Sequence, residues 1–165
     1  MADDSLMAEL FGILLEGVRD GDERWLDRLY AKHEKEFPDE DATKQRLRAS
    51  LERLLGELGD VVQGVLASRP HFVLLFAAVA HRVVGIPAGA VENMPNRDMP
   101  ALQDPAMAVA NLIQLAEIIE SDEPPESEKA KAFWAASRAA TVRAASRAVR
   151  FLVFWEALLP EPLQL

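Results

Sequence analysis

The chain contains no cysteine. That removes disulfides, thiol nucleophiles and thiolate metal sites together, and it fits a reducing, cytoplasmic setting. Histidine is scarce as well. His71 and His81 are ten residues apart and face different ways on a helix, where a metal pair needs a spacing of about three or four. The eight glycines are scattered and form no phosphate-cradling loop. There is no HExxH and no EF-hand spacing. Long apolar runs are missing too. The longest, 72–80, is about nine residues, where a bilayer span needs ~20. The short run 10–15 follows acids, not the basic segment of a signal peptide. No stretch alternates as a strand would. The expectation is therefore no metal, no cofactor, no membrane and no catalytic residue that a motif identifies.

Basic residues are outnumbered, 18 against 27, for a net charge of −9. The deficit is uneven. Residues 1–66 hold nine basic against sixteen acidic side chains, and 67–128 hold three against nine; 129–165 hold six against two. A protein that wraps nucleic acid needs a positive field over its contact surface. Direct binding is thus expected only through the C-terminal stretch, if anywhere.

What is present is helical patterning along one domain, 1–165, of the all-α class: a bundle of about six helices. Leu6, Leu10, Phe11, Leu14, Leu15 and Val18 face one way on a first helix expected over 4–19, with Asp3, Asp4 and Ser5 as caps and Gly21 as its stop. A second, over 22–36, carries Trp25, Leu26, Leu29 and Tyr30 and is closed by Pro38. The third spans 39–67, with a bend possible at Gly56 and Gly59, whose bland reading is close helix packing. Arg69 and Pro70 open a helix that is apolar nearly all round and belongs at the centre. The segment 86–103, broken by Pro87, Gly89, Pro95 and Pro100, is either a binding loop with Asn96, Arg97 and Asp98 at its tip or a connection across one end of the bundle. Asp104 and Pro105 then start another amphipathic helix.

The longest expected element is the last, about 126–159. It has no glycine or proline and an alanine-rich middle. As one helix it is ~50 Å long, longer than the roughly 40 Å breadth of a domain this size. On such a helix, at about 100° per residue, Arg138 falls amid Trp134, Val142, Ala145, Val149 and Leu152. It is expected to point inward and pair with an acid such as Glu9, Glu16 or Glu117. Arg143, Arg147 and Arg150 cluster on another side, as a solvated or partner-facing surface.

Several segments together resemble a known family. Leu6 to Tyr30, with Glu9-Leu10, Leu14-Leu15-Glu16-Gly17 and Leu26-Asp27-Arg28-Leu29-Tyr30, is similar to the start of the helical C-terminal region of ParB/sulfiredoxin-like nuclease proteins of the GmrSD type. So is Phe72 with Leu75-Phe76, His81 and Gly85-Ile86-Pro87. The stretch from Phe133-Trp134 through Ser137-Arg138, Thr141 and Arg143 to Arg147 and Arg150-Phe151 resembles that family's closing helix. In that family the catalytic part is a mixed α/β domain lying N-terminal, whose Asp-Gly-Gln-Arg type signature this chain lacks. The resemblance implies a non-catalytic accessory or interaction module of a bacterial restriction or phage-defence protein, with a nuclease domain or other protein as partner. Arg138, Thr141, Arg143, Arg147 and Arg150 are its ligand- or partner-binding candidates. Two alternatives stand beside it. Arg28 and His33 resemble the Arg–His pattern of HEPN-class ribonucleases, although Leu29 replaces the polar residue that usually follows the arginine. The third reading is an assembly protein that forms a homodimer through the terminal helix.

Overall fold

The computed structural model describes residues 2–34, 37 and 39–165, and of residues 2 and 3 the backbone alone. Eight helices occupy the described residues: α1 (Ala2–Glu16), α2 (Glu23–His33), α3 (Glu40–Leu58), α4 (Gly64–Ala67), α5 (Arg69–Val83), α6 (Pro105–Glu120), α7 (Glu128–Arg138) and α8 (Ala144–Ala157). The fold is all-α, with two more helices than expected. Two of the expected elements are divided: 39–67 into α3 and α4, and 126–159 into α7 and α8. The expected roles of Asp3 as a cap and Pro38 as a helix stop lie outside the described residues.

Helix α5 is the centre, as its all-round apolarity requires. Every residue from Val73 to Ala80 is fully buried, and α1, α3, α4 and α8 pack around it. Each large side chain buried there contributes about 1.5–3 kcal/mol. Local signals set several helix starts. Asp22 accepts from the Trp25 amide at 2.9 Å, Asp104 from Met107 at 3.0 Å and Ser127 from Ala130 at 3.1 Å. Helix α1 stops earlier than expected, because Gly17 takes φ +77°. Val18 then forms an isolated parallel bridge with Gly89. Gly56 has open space where a Cβ would go, so close packing does not explain it; Gly59 caps α3.

Segment 86–103 lies across one end of the bundle. Pro95 O contacts His81 Nε2 at 2.8 Å, Ala101 O accepts from Arg82 at 3.1 Å, and the Leu102 amide donates to Leu158 O at 2.7 Å. Asn96, Arg97 and Asp98 are exposed at its tip.

The terminal rod is a hairpin. Phe133 and Phe154 would stand ~30 Å apart on one helix, yet their ring centroids are 5.8 Å apart. The chain leaves helical geometry at 139–143, with Ala140 at φ +49°. The helical preference of the alanines is worth a few tenths of a kcal/mol per residue. Folding back instead buries Phe133, Phe151 and Phe154 completely, each worth several times more. Tertiary contacts take up the backbone groups that the break frees. Val142 O accepts from the Gly21 amide at 2.8 Å, and Asp20 Oδ1 accepts from the Ala144 amide at 2.8 Å, capping α8 from a distant turn.

Candidate functional site

The break decides where each arginine points, and the outcome reverses the expectation. Arg138 ends α7 with its side chain 38% exposed. It turns towards the C-terminus of α6 and donates to Ser121 O and, at 3.4 Å, to Ile119 O. Its guanidinium lies 4.8 Å over the Trp134 ring, and Trp134 itself donates to Ser121 O at 2.9 Å. A cation over the last carbonyls of a helix is favoured by the helix dipole. Arg138 is therefore a capping residue at the surface, with exposed Asp122 4.0 Å away, and not the inward arginine. Arg143 is exposed at the N-cap position of α8, and Thr141 is half-buried in the turn before it.

Arg147 and Arg150 are the buried pair, at 2% and 0% exposure. Arg147 Nη1 donates to Glu9 Oε1 at 2.5 Å. Glu9 Oε2 accepts from Arg69 Nε at 2.8 Å, and Arg69 reaches Ser5 Oγ at 2.8 Å with Nη1. Arg150 is held by carbonyls: Pro70 O at 2.7 Å, Ser146 O at 3.3 Å and Thr141 O. Burial, reinforced by neighbouring Arg147, pushes its pKa down to about 10, so it stays protonated at neutral pH. His71 is 3% exposed beside this group. Burial first, and then Arg150, pushes its pKa down to about 4, which keeps the ring neutral.

One carboxylate thus serves a cluster with three guanidiniums. Glu9 from α1, Arg69 from the start of α5, and Arg147 and Arg150 from α8 meet where the 139–143 turn rests on Asp20 and Gly21. Gly21 is closely packed there: a Cβ would meet Arg147 Nη1 at 2.1 Å and Glu9 Oε1 at 2.9 Å, so any side chain would push the Glu9–Arg147 pair aside. Beside the cluster is a cavity of about 320 Å³ whose walls include Glu9, Arg69, Thr141, Val142, Arg147 and Leu26. Arg147 Nε and Nη2 are buried without a hydrogen-bond partner. Of the five residues singled out by sequence, the structure gathers Thr141, Arg147 and Arg150 at this site and leaves Arg138 and Arg143 outside. Glu9 was expected as an acidic partner, though of Arg138. Arg69 and Gly21 were missed.

A larger apolar groove, about 570 Å³, runs between α1 and α2 along Phe11, Leu15, Leu29, Tyr30, His33 and Phe37. His33 sits in it with both ring nitrogens buried and unpartnered, edge-on to Phe37 at 5.1 Å. Arg28 is exposed and, five residues earlier on the helix, about 140° away from His33. The two do not form a joint phosphate-binding face. Among the described residues no group of three or more His, Cys, Asp or Glu side chains is placed to hold a metal ion, and no helix is long and apolar enough to cross a membrane.

No protein-family model, curated protein or solved structure matches this chain.

Proposed function

We propose that this chain is a non-catalytic helical accessory module of a bacterial nucleic-acid-targeting protein of the restriction or phage-defence type, working by protein contact or ligand sensing. The family part of this reading rests on the resemblance of the segments 6–30, 72–87 and 133–151 to the helical region of ParB/sulfiredoxin-like nuclease proteins. The observation that carries the rest is the fate of the basic residues. Arg147 and Arg150 are spent on Glu9, Pro70 and Thr141 inside the fold. Two of the six basic residues of 129–165 are thereby withdrawn from any surface that could meet a phosphate backbone, and Lys129 and Lys131 are paired with Glu156 and Glu128. The same cluster joins α1, α5 and α8, so a ligand or partner that disturbs it acts on three helices at once.

The test is a cleavage assay on the isolated chain with RNA and DNA substrates and varied divalent metals. The expected result is no cleavage. Robust cleavage that Arg143→Ala abolishes would overturn the reading.

A further inference from the structure

We propose that the groove between α1 and α2 is a binding site for a small organic cation, an ammonium fully substituted with alkyl groups and carried on an apolar body. The proposal concerns a different site from the arginine cluster and does not rest on the accessory-module reading.

Three observations converge on the groove. The first is what its walls are made of. Phe11 from α1, Tyr30 from α2 and Phe37, just beyond α2, line it together with Leu15 and Leu29. The rings of Phe11 and Phe37 stand at 84° with centroids 5.9 Å apart, and His33 lies edge-on to Phe37 at 5.1 Å. The rings are adjoining walls, not a flat stack. Tyr30 keeps 54% of its surface open, so this ring is not spent on the core. An aromatic face is the negative side of the ring's quadrupole, and several rings around one space attract a cation.

The second is charge. Among the described residues the lining holds one carboxylate, Glu34, and no lysine or arginine. Lys32, two residues earlier, is paired with Glu16 at 3.0 Å. Residues 1–66 carry nine basic side chains against sixteen acidic ones. Such a field turns anions away and draws cations in, and Glu34 meets the charge of the cation that arrives.

The third is how few hydrogen bonds the groove offers. At about 570 Å³ it lies within the range of small-molecule pockets. Both ring nitrogens of His33 are sealed from solvent, so neither serves a ligand. A primary ammonium brings three N–H donors, and those left unmade on desolvation are costly. A fully alkylated ammonium has no N–H to satisfy and presents only apolar surface to the rings. The groove is also formed in advance. Gly12 lets Trp25 close against α1, since a Cβ there would meet Trp25 Cη2 at 2.2 Å. Glu16 then accepts from Trp25 Nε1 at 3.1 Å and from Lys32 Nζ at 3.0 Å, which holds α2 in place.

The experiment is an amide NMR titration of the full chain with choline, with benzyltrimethylammonium and with 3,3-dimethylbutan-1-ol, the uncharged isostere of choline. Saturable shifts are expected at Phe11, Leu29 and His33. Benzyltrimethylammonium should bind tightest, and the alcohol at least about fivefold more weakly than choline. Phe37→Leu keeps an apolar side chain but removes a ring face. It should weaken choline about fivefold and leave the alcohol nearly unchanged, whereas a ring that only shapes the groove would weaken both alike. Tyr30→Leu, at an exposed position that the fold tolerates, is the second variant and should act in the same direction. A flat titration at millimolar ligand overturns the proposal. So does an alcohol that binds as tightly as choline, or choline binding that neither variant weakens selectively.

Discussion

The Glu9–Arg147 pair can be tested as a double-mutant cycle, because the structure gives the two single substitutions unequal costs. Both side chains are 3% exposed. Glu9→Leu removes the carboxylate that, among the described residues, pairs with Arg147, and leaves that guanidinium enclosed. Breaking a buried pair this way costs about 3–5 kcal/mol. Arg147→Met leaves Glu9 its second partner, Arg69, whose side chain is 42% exposed and can relax towards water. That variant should cost less, about 2–3 kcal/mol, mainly for the lost charge-assisted bond. In Glu9→Leu/Arg147→Met both charges are gone and the volume is largely kept, so the double variant should cost no more than the worse single one. A coupling energy of at least about 2 kcal/mol follows, against a total stability of roughly 5–15 kcal/mol. Urea denaturation of the four proteins at pH 7 measures it. Single costs below about 1 kcal/mol, or a coupling below ~0.5 kcal/mol, would show the pair behaving like a solvated surface bridge and would refute the buried-cluster account.

Two further outcomes follow from the fold. Ala140→Gly should stabilise the protein by about 0.5–1 kcal/mol, since glycine adopts φ +49° without the steric penalty of alanine; in an unbroken terminal helix the same change would cost ~1 kcal/mol, so the sign of the shift in a denaturation curve decides between rod and hairpin. The neutral, buried His71 should make stability fall on acidification: with the folded value about 4 and the unfolded one near 6.5, protons bind the unfolded chain first, so stability is complete above pH ~6.5 and is lost between there and pH ~4, by up to ~3 kcal/mol. His71→Gln should flatten that limb of the stability–pH curve, and an unchanged slope between pH 6.5 and 4.5 would refute it.

Much of this architecture is written locally. The central place of α5 follows from an apolar run with no polar face, and α2, α6 and α7 start where Asp22, Asp104 and Ser127 can cap them. These signals act over three or four residues and need no knowledge of the rest of the chain. The break at 139–143 is of another kind. Nothing within 126–159 forbids helix; what ends it is the pairing of Val142 with Gly21, of Ala144 with Asp20 and of Thr141 with Arg150. Most of those partners lie more than a hundred residues away, and local propensity cannot register them.

The inverted reading of the arginines has the same root. Helical angles measured from Arg138 assume one continuous phase, and five non-helical residues reset it. Measured from Phe151 and Phe154 instead, Arg147 and Arg150 each fall four residues earlier, on the buried stripe of α8. Glu9 carries the matching signal on α1, spaced three and four residues from Leu6 and Ile13 on the apolar face. An acid lodged in the apolar stripe of α1 and two arginines lodged in that of α8 form a pattern a sequence can display, because charges placed there are tolerated only if they find one another. With Arg69, at the start of α5, the cluster holds three positive charges to one negative charge, and no local rule on a single helix shows that sum.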